Sequence, residues 1–94
     1  PNDEARDDFD KLRRYVEAEG RDGQQIGVDV WVSMGDSAPA DWRREFSAWK
    51  EIGVSHVTLN TSFDVGHHQR IDGSSLAHHL DAISGYIETV GDLL

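Results

Sequence analysis

Asn60 and Thr61 close an alternating run, Val54 to Asn60, that reads as a β-strand. A strand ending on an amide and a hydroxyl delivers polar groups to the top of a sheet, where α/β enzymes keep their chemistry. The plainer role for the pair is to cap the strand and satisfy loop backbone. Ser33 and Met34 hold the equivalent place after an earlier run, Ile26 to Ser33. They suit a pocket lining, although packing accounts for Met34 equally well. Between the second strand and the last helix lie thirteen loop residues, Thr61 to Gly73. A loop of that length suits a lid, so His67 and His68 are candidates for ligand contact. Arg70 in the same loop could meet an anionic cofactor tail or substrate; a solvated side chain is its default. His78 and His79 follow at the start of the last helix. Adjacent histidines on a helix point about 100° apart, and no i, i+4 pair is present, so no metal site is expected from the four. His79 fits a helix-start group that ties down the loop.

These residues need elements to hold them. Residues 3 to 19 read as a helix, with Ala5, Phe9, Leu12 and Val16 on one face and Gly20 as its end. The first strand, 26 to 33, puts Ile26, Val28, Val30 and Val32 on one face and Asp29, Trp31 and Ser33 on the other. Both faces carry bulky groups, which predicts that both are covered. Pro39 opens a second helix, 39 to 52, whose Trp42, Phe46 and Trp49 follow helical spacing and read as core packing rather than a recognition stripe. Gly53 ends it. On the second strand, 54 to 60, Val57 and Leu59 oppose His56, Thr58 and Asn60. If the valines and Leu59 face the helices, then Asp29, Trp31, His56 and Thr58 share the other face, where a His56–Asp29 pair becomes possible. Ser74 or Ser75 caps a third helix, 74 to 91, with Leu76, Leu80, Ile83, Ile87 and Val90 as its seam.

The order is therefore α-β-α-β-α, an α/β fold with parallel strands joined by a crossover helix. Two parallel strands do not make a sheet that stands alone. Parallel sheets are buried by many βα units, and each strand here would present an unpaired edge. The expectation is a piece of a larger α/β domain, or a chain that completes its sheet with another.

Composition narrows the function classes. The 94 residues suffice for one small domain, and 29% charged with 37% apolar residues reads as globular. A net charge of -9 argues against nucleic acid and against anionic membrane surfaces. No apolar run approaches the roughly 20 residues of a membrane span. No cysteine is present, so neither a disulfide framework nor a thiolate site is available, and cytoplasmic residence fits. The amino end, PNDEARDD, has no signal-peptide core, and without an initiator Met the chain reads as trimmed.

Three segments, GRDGQQIGVDVWVS, WKEIGVSHVTLNT and HHLDAISGYIE, together resemble the carboxy-terminal part of the bacterial luciferase-like monooxygenases, and most of all their deazaflavin-dependent members. The resemblance spans most of residues 9 to 90. It implies a (β/α)8 TIM barrel of which residues 1–94 supply the last two βα units and the helix before them. It implies an oxidoreductase or monooxygenase that binds FMN or a deazaflavin and a small-molecule substrate, with the cofactor carrying the redox chemistry. Ser33, Met34, Asn60, Thr61, His67, His68 and Arg70 would then belong to a pocket wall and lid, with Met34 against an isoalloxazine-like ring. The loop SFDVGHHQRIDGSS departs from the small, Gly-rich loop that members often have there, and the other six strands lie outside the chain. A segment of this kind is expected to be inactive alone and to be a homo-oligomer. The other reading is a non-enzymatic α/β module that oligomerises to complete its sheet.

Overall fold

A computed structural model describes residues 2–22, 26–35, 37–64, 66 and 68–94. The elements run in the order α1 (Asp3–Ala18), β1 (Asp29–Ser33), α2 (Pro39–Ile52), β2 (His56–Asn60) and α3 (Leu76–Val90), with a final 3-10 turn at Gly91–Leu93. The chain is thus mixed α/β, with a two-stranded parallel sheet. Asp29 pairs with His56, Trp31 with Thr58 and Ser33 with Asn60.

Both strands are shorter than their apolar runs. The peptide of Val28 is taken by Ser55: Val28 N–H donates to Ser55 Oγ at 2.8 Å, and Ser55 N–H donates to Val28 O at 3.0 Å. Val54 is spent on leaving α2, its N–H donating to Trp49 O at 3.3 Å. Gly53 makes that exit in the left-handed region, φ 98°, where a side chain is strained. At the other end of α2, the Asp41 carboxylate accepts from Ala38 N–H at 3.0 Å, with Pro39 in the first turn. This contact pulls the Asp41 pKa below its ordinary value. Asn2 caps α1, and Ser75, not Ser74, caps α3.

The core lies on one side of the sheet. Val32, Phe46, Tyr86 and Val90 are buried together, and Met34, Trp42, Trp49, Val57 and Leu59 pack around them. The α2 aromatic stripe is therefore core, as its spacing predicts. Trp42 meets Tyr86 with centroids 5.8 Å apart, and Phe9 on α1 meets Trp49 at 6.3 Å. Arg13 lies over the Phe9 ring and donates to Ile52 O, which ties α1 to the end of α2. Arg43 holds the carboxy end: it donates to Thr89 O and pairs with Asp92, each at 2.6 Å.

One expectation about burial is overturned. Among the described residues the core covers one face of the sheet; on the other, Trp31 is 53% exposed. Of the α3 seam, Val90 alone is buried. Tyr86 and Val90 face the core, whereas Leu76, Leu80, Ile83 and Ile87 are all exposed. The reason is angular. The chain offers α3 one neighbouring layer, while the apolar arc of the helix is wide enough to serve two. No helix among the described residues is long and apolar enough to cross a membrane.

Candidate functional site at the carboxy ends of the strands

Alternation along two parallel strands in register puts Asp29, Trp31 and Ser33 beside His56, Thr58 and Asn60 on the face away from the core. Among the described residues, the loop after β2 is what lies against that face. The His56–Asp29 pair does not form. The Asp29 carboxylate accepts from Thr58 Oγ1, at 2.9 and 3.0 Å to its two oxygens, while His56 Nδ1 lies 2.8 Å from Ser55 Oγ. Thr58 lies on the same face as Asp29, and its short hydroxyl reaches the carboxylate across the strand gap.

The loop is built on Asn60. This side chain is buried at 5% exposure, and its amide is fully engaged. Nδ2 donates to Phe63 O at 2.8 Å, and Oδ1 accepts from the N–H groups of Ser62 and Phe63 at 3.4 and 3.1 Å. Such a side-chain-to-backbone turn is the local bonding that Asn offers where a strand stops. Thr61 then anchors both ends of the loop. Its carbonyl accepts from Ile71 N–H at 3.0 Å, and its Oγ1 lies 2.9 Å from His79 Nδ1 on α3. His79 thus ties down the loop, as its place at the helix start suggests. His78 stays local, with Nδ1 2.6 Å from the capping Ser75 Oγ.

The outward part of the loop folds back over the open face. His68 meets Trp31 edge-on, with centroids 6.3 Å apart and planes at 64°. Gln69 N–H donates to Ser33 Oγ at 3.4 Å. Arg70 turns to Asp64, its N–H 2.8 Å from one carboxylate oxygen and its Nε 3.6 Å from the other. Between the two ends of the loop and the start of α3 is a cleft of about 350 Å³, lined by Thr61, Arg70, Asp72 and His79 among others and by none of Trp31, Ser33, Thr58 or His68. Gly73 sits at φ 87° on its rim, and a Cβ there would strike the His78 ring at 2.6 Å.

The fold places Ser33 and His68 at the open strand face and Thr61 and Arg70 at the cleft, with Asn60 holding the start of the loop. Met34 goes elsewhere, packing against the core. His67 lies outside the described residues. The arrangement offers an aromatic wall (Trp31), hydroxyls (Ser33, Thr58), an imidazole (His68) and a guanidinium (Arg70). Asn60 is a positioning group, because each polar atom of its amide already holds loop backbone. Among the described residues, no group of three His, Asp or Glu side chains is placed to hold a metal ion. Trp31 was readable in the sequence only as a residue of the inner face; its contact with His68 needed the loop path. Comparison of the chain with protein-family models, curated proteins and solved structures finds no match.

Proposed function

We propose that this chain forms the wall and lid of a flavin-type pocket in a luciferase-like oxidoreductase, as the last two βα units of a (β/α)8 barrel. The observation that carries the reading is the packing of the later part of the loop against the polar strand face, with His68 against Trp31 and Gln69 against Ser33. In a barrel that face points inward, and its carboxy end is where pockets are built. The free edges of β1 and β2 and the bare apolar row on α3 suit a segment that further βα units surround.

In this reading Trp31 supplies a flat wall for an isoalloxazine or deazaflavin ring. Ser33 and His68 supply hydrogen bonds at its edge, and Arg70 meets an anionic tail. The bound cofactor would supply the redox step; the chain's residues bind it, orient it and exclude water from it. The test is a fluorescence titration of Trp emission with FMN and with a deazaflavin cofactor, for the wild type and for Ser33→Ala, His68→Ala and Arg70→Ala. Saturable quenching that each substitution weakens supports the pocket. Quenching that is linear in cofactor and indifferent to all three removes it.

A second reading, a non-enzymatic module that oligomerises to complete its sheet, is favoured by one particular observation. An apolar groove of about 480 Å³ runs beside β2, between that strand and α3. Native mass decides this reading: a multimer of the 10.5 kDa chain supports it, and a stable monomer removes it.

A further inference from the structure

The groove beside β2 and the exposed row on α3 form one continuous surface. The groove is lined along β2 by Val54, Val57 and Leu59, and along α3 by Ile83, Ile87 and Val90. Among the described residues the sheet has two strands, so the β2 edge on this side carries backbone N–H and C=O groups with no partner strand there. That edge lacks two of the usual guards: His56–Asn60 contains neither Pro nor Lys. From α3 the exposed residues Leu76, Leu80, Ile83 and Ile87 recur at intervals of four, three and four, the spacing of helices that pack side by side. They lie about a quarter turn around the helix from the arc that holds Tyr86 against the core.

Charge indicates what covers this surface. The chain carries 18 Asp and Glu and a net charge of -9, so two copies repel almost everywhere. The groove is an exception: its lining includes Lys50 and His56 and no Asp or Glu side chain. On α3 the acidic residues Asp81 and Glu88 sit on the far side of the helix from the exposed row, and Ala77 and Ser84 separate them from it. A surface cleared of like charge is one on which this chain can meet itself.

The strand sequence is also self-complementary. His56-Val57-Thr58-Leu59-Asn60 alternates polar and apolar about Thr58. Laid antiparallel on a copy of itself, it sets Val57 opposite Leu59 on the helix face and Thr58 opposite Thr58, with no like charges opposed. We infer that two copies of the chain pair through β2 about a two-fold axis at Thr58, making a four-stranded sheet across which the α3 rows meet. Four strands with one apolar face covered satisfy the minimum that two do not. The inference rests on the second reading above, sheet completion by self-association, and specifies its geometry.

The test uses the whole chain, whose lack of cysteine makes any introduced thiol a clean reporter. Sedimentation velocity of the wild type should show a species of twice 10.5 kDa that dissociates on dilution. Thr58→Cys should form an intermolecular disulfide under mild oxidation, because directly opposed Cβ atoms lie about 4.5–5.5 Å apart. Glu51→Cys, on the exposed side of α2, should not. Ile87→Glu should weaken association at least about tenfold while leaving the helical circular dichroism of the diluted protein unchanged. A chain that stays monomeric at every concentration, folded or not, overturns both the inference and the reading beneath it. An oligomer that survives Ile87→Glu, or whose Thr58→Cys variant stays reduced, overturns this geometry and leaves oligomerisation standing.

Discussion

Tyr86 is the one described residue with a buried side-chain polar atom that has no hydrogen-bond partner. The residue is 4% exposed, with its ring against Trp42. Burial, aided by the nearby Glu45 charge, pushes its pKa up to about 12. Replacing it with Phe keeps the ring and deletes the unpaired hydroxyl. An unsatisfied buried group costs about 1–3 kcal/mol, so Tyr86→Phe should be more stable than wild type at neutral pH by about 1 kcal/mol or more. The pH dependence gives an independent sign. Below the ordinary tyrosine value of about 10, both folded and unfolded chains keep the proton, and stability does not depend on this group. Between there and about 12 the unfolded chain releases its proton and the folded chain holds it, so stability falls as pH rises. A shift of about two units corresponds to about 2–3 kcal/mol lost over that window. Urea unfolding of both proteins from neutral pH to pH 12, taken as a difference so that other alkaline titrations cancel, measures both effects. Parallel stability curves, or a Phe variant less stable at neutral pH, would show that the hydroxyl has a partner and refute the argument.

Asn60→Ala removes three contacts from the turn that starts the loop and should cost about 2–3 kcal/mol in urea unfolding, with faster amide exchange at Ser62 and Phe63. Gly53→Ala places a Cβ at φ 98° and against the Arg13 guanidinium, and should cost about 1–2 kcal/mol, read as a fall in the unfolding midpoint. Burial raises the Glu45 pKa. Its contribution is therefore full below the ordinary carboxylate range and is lost as pH rises through the raised value. Glu45→Gln should accordingly unfold at higher urea than wild type near pH 7 and show no gain at low pH.

The elements were legible because their signals are local. Helical spacing of Trp42, Phe46 and Trp49, Pro39 at a first turn and glycines at helix ends fixed the helices to within two residues. Alternation in VDVWVS and HVTLN fixed which residues share a face. The strand starts were less legible, because Ser55 competes for the peptide of Val28, and a side-chain hydroxyl's reach is a tertiary matter. Burial is less legible on the outer sheet face and on α3, for one reason. Periodicity shows that Leu76, Leu80, Ile83 and Ile87 want a neighbour, and says nothing of whether the chain contains it. At the candidate site, the roles of Asn60 and His79 followed from their places at a strand end and a helix start. The seating of His68 on Trp31, and of Gln69 on Ser33, depends on the loop's path, which no spacing rule encodes. Tyr86 went unnoticed because a tyrosine on an apolar helix arc looks the same whether or not its hydroxyl finds a partner.

The proposed flavin-type pocket has the open strand face and its loop as its wall. Its most direct measurement is an amide and indole NMR titration of the chain with FMN and with a deazaflavin cofactor. The account predicts saturable shifts gathered at Trp31, Ser33, Thr58 and residues 60–62 and 68–70. Shifts confined to the groove of Val57, Ile83 and Ile87, or no saturable shift with either cofactor, would contradict it.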